Sequence, residues 1–233
     1  INPQDFSSEI ASIQSGGDIF GFDTIGYTID NNSIKDDIAY SQELLRQWNS
    51  GELTTFREKQ QMVYCPKFDS TKYSNFMSFF YNCTSMVYFP SDIPTSHIAN
   101  FESCWQNCSN LQILNIDTSN ATTLRAMVSS CLKLKYISPI DCAKCSSSAA
   151  LSTVFSNCSS LQQIEIFNTG KCVNFQNLCY ACKSLNKLTT LDLSSATNVS
   201  LIFYNCTNLK SVIIPGSVTH IYGGAFSGCQ SLT

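Results

Sequence analysis

Apolar residues recur along this chain in a compound pattern, helical in one stretch and two-fold in the next. The pattern is counted from seven cysteines, Cys83, Cys108, Cys131, Cys158, Cys182, Cys206 and Cys229, each set to zero. Position −7 holds Phe76, Phe101, Leu124, Leu151, Phe175, Val199 and Tyr222. Position −4 holds Phe79, Cys104, Met127, Val154, Leu178, Ile202 and Ala225, and position −3 holds Phe80, Trp105, Val128, Phe155, Cys179, Phe203 and Phe226. Apolar residues at −7, −4, −3 and 0 follow the i, i+3, i+4, i+7 template, which predicts about two turns of helix with one buried face. At −1 stand Asn82, Asn107, Ser130, Asn157, Ala181, Asn205 and Gly228; Asn and Gly tolerate the left-handed conformation that ends a helix, so the column reads as a helix stop. After the cysteine the period changes. A large apolar residue at +3 and others at +6 and +8 give L-x-x-I-x-I, clearest in Leu161-Gln-Gln-Ile164-Glu-Ile166. That alternation predicts a strand of about three to five residues.

Successive zero-column cysteines are 25, 23, 27, 24, 24 and 23 residues apart. A unit of that size cannot bury its own apolar face, whereas stacked units bury a continuous one. An eighth, degenerate unit precedes the first clear one: Met62–Pro66 (M-V-Y-C-P) parallels Met86–Pro90 (M-V-Y-F-P), which places Lys59 in the cysteine column and Phe56 at −3. The longest unit, Cys131 to Cys158, carries its extra residues around Asp141–Ala149, where a surface loop is expected. The repeat array therefore covers 56–233, about eight units, and is expected to be truncated at its C-terminus. Residues 1–55 lie mostly outside it. Within them 36–49 reads as an amphipathic helix capping the first repeat, with Asp36 as its N-cap and Ile38, Leu45 and Trp48 near one face. Phe20–Ile29 reads as a strand or hairpin, and 1–34 alternatively as a linker.

Composition narrows the function classes. Of 233 residues 43% are apolar and 13% charged, with Lys+Arg 14 against Asp+Glu 17 and a net charge of −3. Nucleic-acid binding requires a basic footprint, so this balance argues against it. No apolar run approaches the roughly 20 residues of a membrane span. Two histidines, His97 and His220, sit at unrelated repeat positions, and no P-loop, G-x-S-x-G or H-E-x-x-H motif is present. The sequence therefore predicts no enzyme, no cofactor and no metal.

The repeat accounts for most of the 13 cysteines. Seven form the core ladder, Cys104 and Cys179 occupy −4 and −3, Cys65 occupies +6, and Cys172 lies at −10. Such residues behave as small buried apolar groups, and the ladder is expected to be reduced and structural. Cys142 and Cys145 fall in the insertion as C-x-x-C. A zinc site needs a second ligand pair, which the loop lacks, while a Cys142–Cys145 disulfide stays open. Four N-C-S/T sequons (at Asn82, Asn107, Asn157 and Asn205) follow from the −1 column standing beside the cysteine and need no glycan to explain them.

These columns resemble the BspA-like leucine-rich repeats of bacterial surface proteins. Val212–Leu232 is close to that family's I-P-x-x-V-x-x-I-x-x-x-A-F-x-x-C-x-x-L pattern, and Asp117–Leu124 (D-T-S-N-A-T-T-L) resembles its related D-T-S-N-V-T-N-M variety. The resemblance implies an α/β repeat fold: a right-handed solenoid with short parallel strands on the concave face and short helical segments on the convex face. It further implies location at the cell surface or in the secreted fraction, and a non-enzymatic role in adhesion or partner binding. Cys179 in place of Phe and the long Cys131 unit depart from the pattern.

In this register the outward residues of the strands form the candidate binding face. Position +5 offers Tyr64, Tyr88, Ile113, Tyr136, Gln163 and Lys187; +7 offers Glu165; +9 offers Phe167. Tyr supplies large contact area and a hydroxyl at low entropic cost, which suits a protein or glycan ligand. The alternative is a structural spacer or stalk in a larger surface or phage-derived protein, its tyrosines packing only within a ladder or against 1–34.

Overall fold

The seven cysteine-centred units fold into coils stacked so that equivalent residues lie side by side. The computed structural model describes residues 31–233 except 217, 219, 220 and 222, with side chains from residue 36 onward. The expected strand or hairpin at Phe20–Ile29 and the linker reading of 1–34 fall largely outside the described residues.

Short parallel strands mark the +5 and +6 columns: β1 (Ile113–Leu114) pairs with β2 (Tyr136–Ile137), and β4 (Gln163–Ile164) pairs with β6 (Lys187–Leu188). Single bridges extend the first pair through Tyr64, Tyr88 and Ile113. A second row joins β3 (Ile140–Asp141) to β5 (Ile166–Phe167), and a third joins Asn75 to Asn100, Asn100 to Thr123, and Asn174 to Asn198. Phe89, Leu114 and Ile164 at +6 are buried, as are Met86, Leu111, Leu134, Leu161, Leu185 and Leu209 at +3.

The segment from −7 to −1 buries the expected face but is not α-helical. Two residues per coil, at −5 and −1, take left-handed backbone: Ser78 and Asn82, Ser103 and Asn107, Ala126 and Ser130, Thr153 and Asn157, Asn177 and Ala181, Leu201 and Asn205, Gly224 and Gly228. These reversals turn alternate peptide groups along the stack. In the Cys83 coil, Phe76, Ser78, Phe80 and Asn82 donate their N–H groups to Asn100, Glu102, Cys104 and Gln106 of the next coil. The intervening Phe79 and Tyr81 N–H groups bond three residues back within their own coil. An α-helix would keep all these bonds inside the segment. The turns share its inward spacing, which is why periodicity alone reads as helix. Left-handed backbone at a non-glycine residue costs about 1–2 kcal/mol. The Cys83, Cys108, Cys131 and Cys182 coils each offset that cost with four backbone bonds to the next coil, and the Cys158 coil with three. The short helical segments expected in the repeats are therefore replaced by chained turns, and a 3-10 turn at Thr169–Lys171 is the helical exception among their described residues.

Cysteine at zero has a specific bonding role. The thiol of Cys83 donates to the Phe56 carbonyl at 2.9 Å, that of Cys108 to Phe80 at 3.1 Å, and that of Cys158 to Val128 at 3.1 Å. Cys131, Cys182, Cys206 and Cys229 repeat the contact with Trp105, Phe155, Cys179 and Phe203. Each acceptor is the −3 residue of the preceding coil, so Lys59 does occupy the cysteine column of a degenerate first unit. All thirteen cysteines are free and all except the half-buried Cys229 are buried. Burial pushes the thiols of Cys108, Cys131, Cys158 and Cys206 well up, which keeps the donated proton in place.

Hydroxyls, buried at Thr95, Thr118, Ser138 and Thr169 and exposed at Thr189, bind the coils where strand pairing stops. Thr118 Oγ1 accepts the Asp141 N–H at 2.8 Å and donates to the Asp141 carbonyl at 3.1 Å. Thr95 does the same to Asp117 and Thr169 to Asp192; Ser138 and Thr189 do so to Ile116 and Ile166.

An α-helix, α1 (Asn31–Ser50), covers the first coil. It begins before Asp36, which lies inside the helix and is not its N-cap. Leu44 and Leu45 enter the core, and the Ser41 hydroxyl donates to the Tyr64 carbonyl at 2.6 Å. Trp48 stacks on Phe56 (5.1 Å, 14°), Phe56 on Phe80 (5.6 Å, 1°) and Phe80 on Trp105 (5.6 Å, 8°), a column of rings through the −3 positions. Gly51, at φ 78, ends the helix.

Candidate recognition surface

The strand-bearing side gathers most of the outward residues singled out in the sequence. Bridges and strands place Tyr64, Tyr88, Ile113 and Tyr136 in one continuous row at +5, and Gln163 and Lys187 in a second. Parallel pairing sets neighbouring side chains in such a row about 4.8 Å apart. Tyr88, Ile113 and Tyr136 are half-buried, Gln163, Glu165 and Lys187 are exposed, and Phe167 is 45% exposed.

Tyr64 is the exception. It is 5% exposed, and its carbonyl is held by Ser41 of α1. It belongs to the covered end of the stack and cannot serve as an open contact residue. The Tyr136 and Gln163 rows are not joined by a strand pair among the described residues; the long coil between them pairs further along, Ile140 with Ile166 and Asp141 with Phe167. That pairing sets +9 of one coil against +8 of the next. The second inward residue is accordingly at +8 in Ile116 and Ile166 and at +9 in Ile140 and Leu191. Hence +7 and +9 are not uniform outward columns: Pro66, Pro90 and Ser138 at +7, and Phe68 at +9, point away from solvent. Ser138 is turned inward by its paired hydrogen bonds to Ile116.

Polar contacts fix parts of this surface. The Gln163 side-chain amide donates to Glu165, Lys67 pairs with Asp92 at 2.9 Å, and the Tyr88 hydroxyl accepts the Ser91 N–H at 3.3 Å. Beside Tyr88 lies an open depression of about 290 Å³, lined by Ser91, Pro94, Ser96, Asn115 and Asp117 among others. Its hydroxyl, amide and carboxylate groups can exchange hydrogen bonds with a polyhydroxylated or peptide ligand.

Two features escaped the sequence reading. Tyr180 and Tyr204, at −2 in successive coils, stack at 4.9 Å and 11°, while Arg57 lies 4.8 Å above Tyr81 in the same column; that column's aromatic spacing could have revealed them. Cys172 also lies near enough to the insertion pair Cys142 and Cys145 for the three thiols to perturb one another's titration. Among the described residues no cluster of His, Cys, Asp and Glu is arranged to hold a metal ion, and no helix is long and apolar enough to cross a membrane. His97 Nε2 is engaged with the Ser70 carbonyl at 2.8 Å.

A family model of BspA type leucine-rich repeat regions matches residues 61–149 and 140–233, with six copies. Among solved structures, a leucine-rich repeat protein from Bacteroides ovatus is 17% identical, with a TM-score of 0.30, over 66% of this chain and 56% of its own. A leucine rich cell surface protein from Faecalibacterium prausnitzii is 14% identical, with a TM-score of 0.25, over 67% of this chain and 74% of its own. The alignment thus spans just over half the length of the Bacteroides protein. A search of curated proteins gave no significant match.

Proposed function

Since the chain belongs to the BspA type leucine-rich repeat family, we propose that it is a non-enzymatic recognition module of a cell-surface or secreted protein, which binds a protein or glycan through the concave, strand-bearing side of its coils. The observation that carries this reading is the row of Tyr88, Ile113 and Tyr136, aligned by parallel pairing and left partly open, with a 45% exposed Phe167 paired to Asp141 further along the long coil. Core packing does not call for aromatic and branched apolar side chains in this outward row. The +6 column buries Phe89, Leu114 and Ile164 without them. Ordered, half-exposed tyrosines offer broad contact at little entropic cost, and they lie beside the polar depression at Ser91 and Asn115.

The test is a comparison of the parent chain with a Tyr88→Ser, Tyr136→Ser, Phe167→Ser variant on a glycan array and on immobilised extracellular-matrix proteins. Binding by the parent to one of these classes, reduced at least about tenfold in the variant at closely similar Tm, supports recognition; a tenfold loss corresponds to about 1.4 kcal/mol. Equal binding by both chains, or binding by neither, leaves a structural spacer as the better account.

A further inference from the structure

On the premise that the strand-bearing side binds a ligand, we infer that the depression beside Tyr88 is a subsite for one uncharged hexose at the end of a glycan, held chiefly by the Asp117 carboxylate. Its volume of about 290 Å³ stands at the low end of small-molecule sites, the scale of a single sugar ring. Two coils build it: the Cys83 coil supplies Ser91, Pro94 and Ser96, and the Cys108 coil supplies Asn115 and Asp117. Their backbones are fixed before a ligand arrives. The Ser70 hydroxyl donates to the Pro94 carbonyl at 2.7 Å, and the Asn120 amide donates to the Ser96 carbonyl at 2.6 Å. Between the coils, Thr95 Oγ1 accepts the Asp117 N–H at 2.7 Å and donates to the Asp117 carbonyl at 3.2 Å. Binding here therefore orders little main chain.

The side chains, by contrast, keep their bonding capacity. Among the described residues no protein hydrogen bond engages the side chains of Ser91, Ser96 or Asn115. Asp117 is exposed and uses Oδ1 to accept the Ser119 N–H at 2.8 Å, which leaves Oδ2 for a ligand. The Tyr88 hydroxyl accepts the Ser91 N–H and retains its own proton to donate. Hydroxyls, an amide, a phenol proton and a carboxylate oxygen thus converge on one shallow space. Each hydroxyl of a hexose both donates and accepts, so one ring can match all of these groups.

Charge narrows the class of sugar. Asp117 strengthens a bond donated by a ligand hydroxyl, whereas it repels a sulfate or carboxylate placed beside it. No Lys or Arg lines the depression, and the ammonium of Lys67 is held by Asp92 at 2.9 Å. Sialylated, uronic and sulfated sugars are therefore disfavoured. Ile93, Pro94 and Ile116 complete the lining and give the C–H groups of the ring an apolar contact.

The full chain and three variants are compared on an array of oligosaccharides ending in neutral hexoses, sialic acid or sulfated sugars. Asp117→Asn removes the charge and keeps an oxygen to accept the Ser119 N–H. Asn115→Ala breaks no protein hydrogen bond. Asp192→Asn is the control: Asp192 Oδ1 accepts the Ser194 N–H at 2.9 Å in the same kind of turn, but in the Cys182 coil. The expected result is parent binding to neutral hexose-terminated glycans, at least about tenfold weaker in Asp117→Asn, several-fold weaker in Asn115→Ala and unchanged in Asp192→Asn, all at closely similar Tm. Should Asp117→Asn lower Tm, Asn115→Ala decides alone. Binding confined to charged glycans, binding to matrix proteins without any glycan, or neutral-glycan binding that neither Asp117→Asn nor Asn115→Ala weakens overturns the hexose subsite and leaves recognition standing. A parent chain that binds neither glycan nor protein overturns both.

Discussion

Replacing the central ladder thiol asks whether cysteine recurs at zero as a hydrogen-bond donor or as a filler. Cys158 is fully buried and donates to the Val128 carbonyl at 3.1 Å. That carbonyl also accepts the Cys131 N–H at 3.1 Å, so loss of the thiol removes a second bond without orphaning the acceptor. Cys158→Ala therefore forfeits about 1 kcal/mol of hydrogen bonding and about 1 kcal/mol of sulfur transfer and cavity terms. The total of about 2 kcal/mol corresponds to a fall in Tm of roughly 4–8 °C for a chain of this size. Cys158→Ser keeps a donor aimed at the same carbonyl and loses mainly the sulfur packing, about 1 kcal/mol. Cys229→Ala costs about half as much as Cys158→Ala, because Cys229 is only half-buried. Thermal and urea unfolding followed by circular dichroism in reducing buffer ranks the variants. A serine variant less stable than the alanine variant would refute the donor role, because a pure filler site tolerates a methyl group better than a buried hydroxyl.

Other outcomes follow from the same bonding. Thr118→Val leaves the half-buried Asp141 N–H and carbonyl without their hydroxyl partner, which is expected to cost about 1–2 kcal/mol in urea unfolding, with Thr118→Ser recovering most of it. Asn157 stands at φ 60, so Asn157→Gly should change stability by no more than about 0.5 kcal/mol while Asn157→Val loses about 2 kcal/mol. Acid should loosen the end of α1. The Arg46 guanidinium holds Glu43 down to about 2 from an ordinary 4.5 and also lowers Glu52. Depressed carboxyls stabilise the fold above their unfolded-state values, and that contribution disappears as pH falls from about 4.5 towards about 2. Trp48 fluorescence across that range should report the loss in the parent and less of it in Arg46→Met; identical profiles for the two chains would reject the link.

The inward half of this architecture was legible because burial imposes a column on every coil. The residues at −7, −3, 0, +3 and +6 read from the sequence are the ones that pack, and the repeat length set the stacking. Helix was misread for a definite reason: the chained turns bury −7, −4, −3 and 0 as a helix does. Their second left-handed residue, at −5, is Ser, Ala, Thr, Asn or Leu, with no shared chemistry to betray it. Neighbouring coils enforce that conformation through their carbonyls, a long-range cause invisible in any single unit. Tyr64 went astray similarly, since its column matches Tyr88 but its coil lies at the end that α1 contacts. The slip beyond +6 depended on Ser138, whose type gives no hint that its hydroxyl turns inward to Ile116. Cys172 lies near the C-x-x-C pair only because the coils stack, thirty residues apart along the chain for Cys142.

The ring column beginning at Trp48 gives the molecule a direction. Ring faces run without a break from Trp48 through Phe56 and Phe80 to Trp105, whereas the next −3 positions are Val128, Phe155, Cys179 and Phe203. Coils threaded by that column should therefore melt as one unit. Protease cuts under mild stress should fall in the coils beyond Trp105 before they reach those between Phe56 and Trp105.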